Sequence, residues 1–413
     1  MTAKADEEEG EGRFAVFRHS GFLRYWIAHI FTVFALQIQT VAIGWQVYDL
    51  TRDPLDLGLV GLSQFMPALL LVLVTGAVAD RYPRRMILGV CLAIKAVAAA
   101  GLLYVARSDA SSALPIFGFL ILFGAARAFY NPARQAIVPN LVPAKDLPNA
   151  IAITTSAQQF ATICGPVAGG LLYGLMPPAA YGVTFGLLLA AVVLMISIPQ
   201  PAQRKAMSYA TWEKISAGFR YIWSEKVILG AISLDLFAVL LGGATALLPV
   251  FARDVLDVGP TGLGLLRSAQ AVGAITVGAL LIFRPVTNHA GKIMFASVMA
   301  FGAFTLVFAL SKTVWISVIA LALMGGADMI SVYIRGTLIQ LWTPDELRGR
   351  VNAVNQVFIG ASNELGGFRA GAMAALIGPV AAVTFGAVGT LAVAGLWMKG
   401  FPQLRRIRTL TGE

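Results

Sequence analysis

Charged residues are scarce in this sequence. Asp, Glu, Lys and Arg make up 13% of its 413 residues, and 58% of the residues are hydrophobic. Soluble globular chains carry about 25% charged residues. The mean hydropathy is +0.76, and apolar runs of about 20 residues, each long enough to cross a bilayer, recur along the chain. This composition excludes a soluble fold with one anchor and predicts a polytopic helical membrane protein.

Cysteine and histidine are also rare, with two and three copies. Cys91 and Cys164 lie inside apolar runs, so neither a structural disulfide nor a cysteine metal motif is expected. The histidines are too scattered to form a recognisable metal-ligand set. The sequence contains no phosphate-binding loop of the GxxxxGKS/T type and no visible nucleophile–base pair. We therefore expect no enzyme, no ATP-driven pump, no cofactor and no metal.

The placement of the basic residues predicts the orientation. The net charge is +10, and Lys and Arg collect in short loops at alternate ends of the apolar runs, which is the positive-inside pattern. This pattern argues against a nucleic-acid partner and places both termini in the cytosol. The acidic start, MTAKADEEEGEGRF, is not a cleavable signal peptide and is typical of a disordered tail.

Twelve apolar runs predict twelve membrane-spanning helices. Their expected starts are near Tyr25, Leu55, Arg85, Ala113, Leu147, Ala179, Val227, Thr261, Gly291, Val314, Glu346 and Pro379. The longest connection includes SYATWEKISAGFRYIWSE, which carries an apolar stripe at helical spacing: Trp212, Ile215, Phe219, Ile222 and Trp223. This stripe predicts a helix on the cytosolic membrane surface or one packed on cytosolic loops, and the sequence leaves both open.

A shift of about 200 residues aligns the two halves of the chain, as expected for a parallel repeat with a substrate site near the bilayer midplane. At a shift of 201, Arg127 meets Asp328 and Arg134 meets Arg335. The predicted segments are a disordered tail (1–17), a six-helix half (18–199), a linker with an amphipathic helix (200–225), a second six-helix half (226–402) and a cytosolic tail (403–413).

The stretch GAVADRYPRR lies between the second and third predicted helices. It resembles the signature Gly-x-x-x-Asp-Arg-x-x-Arg-Arg of the major facilitator superfamily at five positions: Gly76, Asp80, Arg81, Arg84 and Arg85. The resemblance implies an all-α integral membrane fold, with twelve transmembrane helices in two six-helix pseudo-symmetric halves. It also implies transport by alternating access, with the first, fourth, seventh and tenth helices around a cavity.

A second match lies in CGPVAGG of the fifth helix. Its Gly165, Pro166, Gly169 and Gly170 are similar to a signature associated with drug:proton antiporters. The stretch QLWTPDELRGRVNAVNQ is similar to the subgroup of enterobactin-type siderophore exporters and macrolide or tetracycline efflux pumps. These resemblances imply proton-coupled export of an amphipathic or lipophilic compound. The alternatives are a lysophospholipid or metabolite transporter working in the flipping or uptake direction, and a non-transporting receptor on the same scaffold.

Ionisable groups inside membrane spans are costly and point to function. The candidates for proton coupling are Asp235, Asp328 and Glu364, because burial and a nearby arginine can tune a carboxyl to bind and release a proton. The alternative is permanent ion pairing, for example of Asp328 with Arg127. The candidates for the substrate cavity are Arg127, Arg335, Gln37, Trp45, Phe129, Tyr130, Phe237 and Tyr333. Lys95 is expected to find a local partner or to snorkel.

The resemblance further implies a gate at Asp80, which would dock on the cytosolic end of the eleventh helix. The sequence TPDE there predicts a capping box with Thr343 as N-cap and Glu346 as its third residue. Arg81, Arg84 and Arg85 are expected to hold their loop in the cytosol. The expected partners are the lipid bilayer, a small amphipathic substrate and protons, for a monomer in the bacterial cytoplasmic (inner) membrane.

Overall fold

A computed structural model describes residues 15–108, 112–199 and 212–410. These ranges contain helices and no strand. Twelve helices are long: α1 (Ser20–Thr51), α2 (Pro54–Arg81), α3 (Arg84–Arg107), α4 (Leu114–Ile137), α5 (Leu147–Leu175), α6 (Pro177–Ile196), α7 (Lys226–Gly242), α8 (Gly259–Phe283), α9 (Ala290–Leu310), α10 (Val314–Trp342), α11 (Asp345–Ile377) and α12 (Pro379–Gly400). A shorter linker helix (Trp212–Ser224) and a tail helix (Pro402–Arg406) are also present.

The predicted all-helical membrane fold is confirmed, and the predicted helix starts agree with the observed ones. The largest difference is at α1, which was expected near Tyr25 and begins at Ser20. Pro54, Pro177 and Pro379 each stand at a helix start, where the missing N–H of proline costs nothing and its fixed φ favours the helix.

Ten of the spans are apolar enough to cross a membrane by length and composition. The two long helices that do not meet this measure are α5 and α11, which occupy corresponding places in the two halves. Both carry polar residues along their length, such as Gln158 and Gln159 in α5 and Asn355 and Glu364 in α11. A helix of this kind needs protein or water on one side, because lipid cannot satisfy these groups.

Contacts divide the chain into two compact units. Unit 1 comprises Met1–Ile43 and Met66–Tyr209, and unit 2 comprises Gly44–Phe65 and Ala210–Glu413. Helix α1 therefore passes from unit 1 into unit 2 at Gly44, and the first part of α2 belongs to unit 2. The boundaries that the sequence predicts for the two six-helix halves, the linker and the two tails stay predictions.

Unit 1 is built around an apolar core of α1, α3, α4 and α6 side chains. Phe22, Leu88 and Leu92 are fully buried in it, and Leu188 of α6 closes it from another side. Unit 2 has a corresponding core that includes Phe295 of α9. Burial of such a side chain stabilises a soluble protein by about 1.5–3 kcal/mol, because the side chain leaves water. In lipid the surroundings are already apolar, so close packing between helices stabilises this core instead.

Helices α8 and α10 of unit 2 approach at backbone distance. A Cβ added at Gly273 would lie 1.7 Å from the carbonyl oxygen of Ala322, and one added at Gly325 would lie 2.1 Å from that of Gln270. Small residues allow this contact, which drives helix association in membranes.

Helix α7 ends within its membrane span. It stops at Gly242, and the chain continues through a 3₁₀ turn (Thr245–Leu247) and a π-helical turn (Phe251–Val255). Arg369 of α11 donates hydrogen bonds to the carbonyls of Leu240 at 3.0 Å and Leu241 at 2.5 Å. These bonds satisfy carbonyls that the interrupted helix leaves without a partner, as a membrane interior requires.

The linker helix packs on unit 2. Ile222 is buried with Ile228 and Val351, and the Tyr221 hydroxyl donates to the Trp342 carbonyl at 2.8 Å. Phe219 and Trp223 of the stripe remain exposed, and the side chains of Trp212 and Ile215 lie outside the described part. These contacts agree with the alternative of a helix packed on neighbouring segments. Binding of the exposed residues to the membrane surface stays a prediction.

Candidate functional site

A buried ion pair joins α7 to α10 in unit 2. Arg335 pairs with the carboxylate of Asp235, and their side chains are 4% and 9% exposed. Leu234 and Ile334, their neighbours in sequence, are fully buried. An isolated charge is costly in such surroundings, and each side chain of the pair compensates the charge of the other.

Asp328 lies on the same face of α10 as Arg335. It precedes Arg335 by seven residues on α10, about two turns and roughly 10 Å along one face of the helix. It interacts electrostatically with both Asp235 and Arg335, and among the described residues it makes no hydrogen bond or close ion pair. Two carboxyls and one guanidinium therefore share this region, and uptake of one proton would make the set electrically neutral.

Glu364 of α11 lies against α2. A Cβ added at Gly61 would approach its Oε2 to 2.6 Å, so a side chain there would displace the carboxylate. Glu364 also interacts electrostatically with Arg267 of α8, which is partly buried. Both contacts lie within unit 2 and differ from those of the pair between α7 and α10.

The buried cation of unit 1 is held by aromatic rings. The Lys95 ammonium lies 3.9 Å from the ring centroid of Tyr130 and 5.1 Å from that of Phe123, and Lys95 is 3% exposed. The expectation of a local partner is therefore confirmed. The attraction between a cation and a ring face compensates part of its desolvation.

Arg134 is the counterpart of Arg335 by the internal repeat. It donates to the amide oxygen of Gln158 on α5 at 3.4 Å. Next to it in unit 1, the rings of Tyr25 and His29 stack with centroids 6.0 Å apart. The repeat-related arginines thus have different partners, a neutral amide in unit 1 and a carboxylate in unit 2.

The predicted cavity residues are found in varied surroundings. Tyr130 is buried against Lys95, and Phe129 borders an apolar groove between α3 and α4. Phe237 packs against the Trp397 ring at a centroid distance of 5.2 Å and remains 39% exposed. Tyr333 packs on the core of unit 2, and Arg127 is partly buried. A role of any of them in binding substrate stays a prediction.

The glycines of the fifth-helix motif bring α5 onto α1. A Cβ at Gly165 would lie 2.5 Å from that of Gln37, and one at Gly169 would lie 2.9 Å from the Cα of Ile38. Gly170 is buried, and α5 continues as a helix through Pro166. The motif therefore has a packing role within unit 1, whatever part it has in transport.

Two arginines of the GAVADRYPRR stretch hold helix ends together in unit 1. The guanidinium of Arg84 donates to the Ala136 carbonyl at 2.6 Å, and that of Arg85 donates to the Ile198 carbonyl. Cations are favourable at such carbonyl-rich helix ends. Arg81 is exposed. The surroundings of Gly76 and the side chain of Asp80 lie outside the described part, so the gate at Asp80 stays a prediction.

The predicted capping box at the start of α11 is wrong. The helix begins at Asp345 after Pro344, and neither residue receives a side-chain cap. The hydroxyl of Thr343 is buried and has no hydrogen-bond partner among the described residues. Pro344 itself supplies the carbonyl that accepts from the Leu347 and Arg348 amides, which leaves no N-cap place for Thr343.

Comparison with known proteins identifies the family. Residues 11–408 match the family described as transmembrane secretion effectors. The chain belongs to this family of major facilitator transporters.

Relatives cover nearly all of the transporter. An enterobactin exporter of Citrobacter koseri is 28% identical, over 94% of each chain, and an enterobactin exporter of Escherichia coli O1:K1 / APEC is 27% identical, again over 94% of each.

Solved structures share the fold at low identity. A bacterial homologue of the human lysosomal transporter Spinster has a TM-score of 0.70 at 15% identity, over 93% of this chain and 95% of that one. A bacterial homologue of the iron transporter ferroportin has a TM-score of 0.69 at 15% identity, over 95% and 99% of the two chains. The transporter is therefore a multi-pass membrane protein with the major facilitator fold.

Sequence reasoning missed a polar network in unit 2 that joins the end of α1 to the end of the α7 span. Arg253 pairs with Asp49, and the Tyr48 hydroxyl donates to Asp254. Arg52 approaches Asp49 at 3.6 Å and Asp254 at 3.9 Å. Arg52 and Arg253 are two of the few basic residues that the charge pattern assigns to outer loops. Each has an acid nearby in sequence, Asp49 and Asp254, and this spacing is a signal that could have found them.

Trp45, a predicted cavity residue, lies beside this polar network of unit 2. The Arg253 guanidinium lies 5.3 Å from its ring centroid, and Trp45 is 8% exposed. At the preceding residue, a Cβ at Gly44 would lie 3.1 Å from the Pro249 ring. Apolar packing thus supports the charged contacts at this end of the transporter.

Proposed function

We propose that this transporter exports a small amphipathic compound by alternating access and takes up protons in exchange. The proposal rests chiefly on one observation, the two carboxyls of Asp235 and Asp328 beside the single guanidinium of Arg335. An acid held in this way inside a membrane protein is a proton-carrier candidate by default.

Charge balance links the proton to the movement. When both carboxyls are ionised, the set has one uncompensated negative charge, and burial of that charge is costly. A proton on Asp328 removes the cost and leaves the Asp235–Arg335 pair in place. A conformation that exposes Asp328 to water favours the ionised form, so protonation and conformation are coupled. Glu364, beside Arg267, is the third candidate carrier.

The export direction and the substrate class are proposed from the relatives. Both reported relatives are enterobactin exporters, so a siderophore is one candidate, and a lipophilic drug is another. Cavities that mix aromatic and few polar groups suit amphipathic ligands. Phe237 and Tyr333 near the acids, and Gln37 and Arg127 in unit 1, are the side chains we propose for contact with the substrate.

The cellular setting is proposed from the charge pattern and the relatives. The basic loops place both termini in the cytosol, and the transporter acts as a monomer in the bacterial inner membrane. Asp80 serves as a cytosolic gate in this proposal, on the strength of the signature it shares with the superfamily.

Transport measurements in liposomes test the proposal. The purified transporter is reconstituted, a pH gradient is imposed, and proton flux is followed on addition of a siderophore, a macrolide or a lipophilic dye. We expect substrate-dependent proton flux that is lost in Asp328→Asn, while exchange of labelled substrate across the membrane without a gradient continues. Glu225→Gln is the control for loss of an acid, because Glu225 is exposed after the linker helix and away from the Asp235–Arg335 pair.

Two results would contradict the proposal. Undiminished proton flux in both Asp235→Asn and Asp328→Asn would overturn the assignment of the proton carriers. Accumulation of substrate on the side that has the higher pH would overturn the antiport direction and favour uptake.

A further inference from the structure

Unit 2 contains a second feature that the transport proposal does not use, a basic pocket at the start of α9. Its volume is about 660 Å³, and its mouth is lined by Lys292 and by the tail residues Arg405, Arg406 and Arg408. No acidic residue lines it. All four basic side chains are exposed, and none of them forms an ion pair with another residue in the described ranges. The pocket therefore has an uncompensated positive charge.

The basic tail is fixed to the transmembrane helices. The Ala290 and Gly291 amides donate to the carbonyls of Arg408 at 3.0 Å and Ile407 at 3.1 Å. A Cβ at Gly291 would lie 1.9 Å from the Leu404 carbonyl oxygen, so only glycine permits this approach. These contacts hold the arginines in a defined place beside α9.

Another contact holds the tail further along. The indole N–H of Trp342 donates to the Leu410 carbonyl at 2.9 Å, and Leu404 is fully buried. The charge is thus carried by a folded element with its own apolar anchor.

Another wall of the pocket is apolar. Lys292, Ala296 and Met299 are spaced by four and three residues and so lie on one face of α9. Met299 is 42% exposed, and Met398 of α12 also lines the pocket. From Lys292 to Met299 the face extends roughly 10 Å along the helix. The pocket is basic at the helix end and apolar towards the middle of the span.

We propose that this pocket binds an anionic phospholipid, with the phosphate at the four basic side chains and the acyl chains along Ala296, Met299 and Met398. Both α9 and α12 are apolar enough to span the membrane, so the apolar wall lies at the depth of the acyl chains. Basic pockets between transmembrane helices are suited to anionic head groups. A free phosphate would use the arginines and leave the apolar wall without a role.

Lipid titration with native mass spectrometry tests the proposal. The full-length transporter in detergent is titrated with phosphatidylglycerol, cardiolipin and phosphatidylcholine of equal chain length. We expect the anionic lipids to bind at least about tenfold more tightly than phosphatidylcholine. The triple variant Arg405→Gln/Arg406→Gln/Arg408→Gln should lose this preference, because its pocket retains only Lys292.

A matched triple variant controls for general surface charge. Arg220, Lys226 and Arg284 are also exposed, lie in unit 2 and do not line the pocket. Their change to Gln removes the same charge and should leave the preference within about twofold of the wild type. An equal loss in both triple variants would overturn the proposal, since the effect would then arise from net charge alone.

A third variant separates a lipid from a soluble anion. Ala296→Trp fills the apolar wall without a change of charge, and we expect it to weaken binding of the long-chain lipid by at least about tenfold. Titration with inorganic phosphate and glycerol phosphate completes the test. If these soluble anions bind as tightly as the lipid, and Ala296→Trp changes neither, the pocket is an anion site and the lipid assignment is wrong. Melting temperatures without lipid confirm that each variant is folded.

Discussion

The two units compensate their buried cations by different means. In unit 1, Lys95 lies over the rings of Tyr130 and Phe123, and Arg134 bonds to an amide. In unit 2, Arg335 pairs with Asp235. An aromatic ring cannot take up a proton in the physiological range, whereas a carboxylate can. The contacting partner of the buried arginine in unit 2 is thus a group that can bind a proton, and the rings that contact Lys95 in unit 1 are not.

The largest effect should follow from breaking the ion pair of unit 2 on one side. Asp235→Asn removes the carboxylate that contacts the buried Arg335 guanidinium and leaves Asp328, about two turns away on α10, as the remaining acid of the set. Loss of the contacting partner of a buried pair costs about 3–5 kcal/mol. We expect the lowest melting temperature of the series, measured by thermal unfolding in detergent.

The control for this variant removes both charges. Asp235→Leu/Arg335→Leu replaces the pair by apolar groups, which is often neutral for stability, and it should melt close to the wild type. A double variant no more stable than Asp235→Asn would show that packing, and not the uncompensated charge, causes the loss.

A smaller effect should follow from removing the ring in unit 1. Tyr130→Leu keeps an apolar side chain but takes away the face on which Lys95 lies, at a cost of about 2 kcal/mol for a desolvated cation. The double variant Lys95→Met/Tyr130→Leu should recover part of the lost melting temperature, because no charge then remains buried. If Tyr130→Leu lowers the melting temperature equally in the Lys95 protein and in the Lys95→Met variant, the ring does not stabilise the cation.

The smallest effect is expected in the polar network of unit 2 that contains Asp49 and Arg253. Asp49 and Arg253 are 44% and 24% exposed, and exposed ion pairs contribute about 0–1 kcal/mol. Asp49→Asn should lower the melting temperature slightly at low salt, and the difference should shrink at about 1 M salt, where the screening length falls to roughly 3 Å. A difference that grows with salt would argue against a screened surface contact.

The helices were predictable because their signal is local. Each apolar run of sufficient length must form a helix in lipid to satisfy its backbone, and the observed starts follow the runs. The repeat was also visible, since Arg134 and Arg335 recur at one shift. Membrane spans therefore follow from composition and length without knowledge of which helices touch.

The pairing of side chains was not predictable from these signals. Arg335 was assigned to the cavity and Asp235 to proton coupling, yet the two form one ion pair. Tyr130, assigned to the cavity, is buried against Lys95. A partner depends on how each helix is rotated about its axis, and a helical pattern fixes which residues share a face but leaves open which helix that face meets.

Local backbone chemistry gave a further error at the start of α11. The TPDE pattern fits a capping box, but Thr343 closes α10 and α11 begins two residues later. Thr343 is the C-cap residue of α10, and Pro344 takes the N-cap position of α11, so Thr343 cannot cap α11. The polar network of unit 2 was missed for a different reason, because the contact between Tyr48 and Asp254 joins residues 206 positions apart in sequence.

The interruption after Gly242 divides the seventh span into two segments. The first segment, α7, carries Asp235, the second carries Arg253 and Asp254, and Arg369 joins the end of α7 to α11. An unbroken helix would transmit any rotation from one end to the other. The interruption uncouples the two segments, so the part of the span that carries Asp235 can rotate while the Arg253 and Asp254 contacts to α1 stay in place.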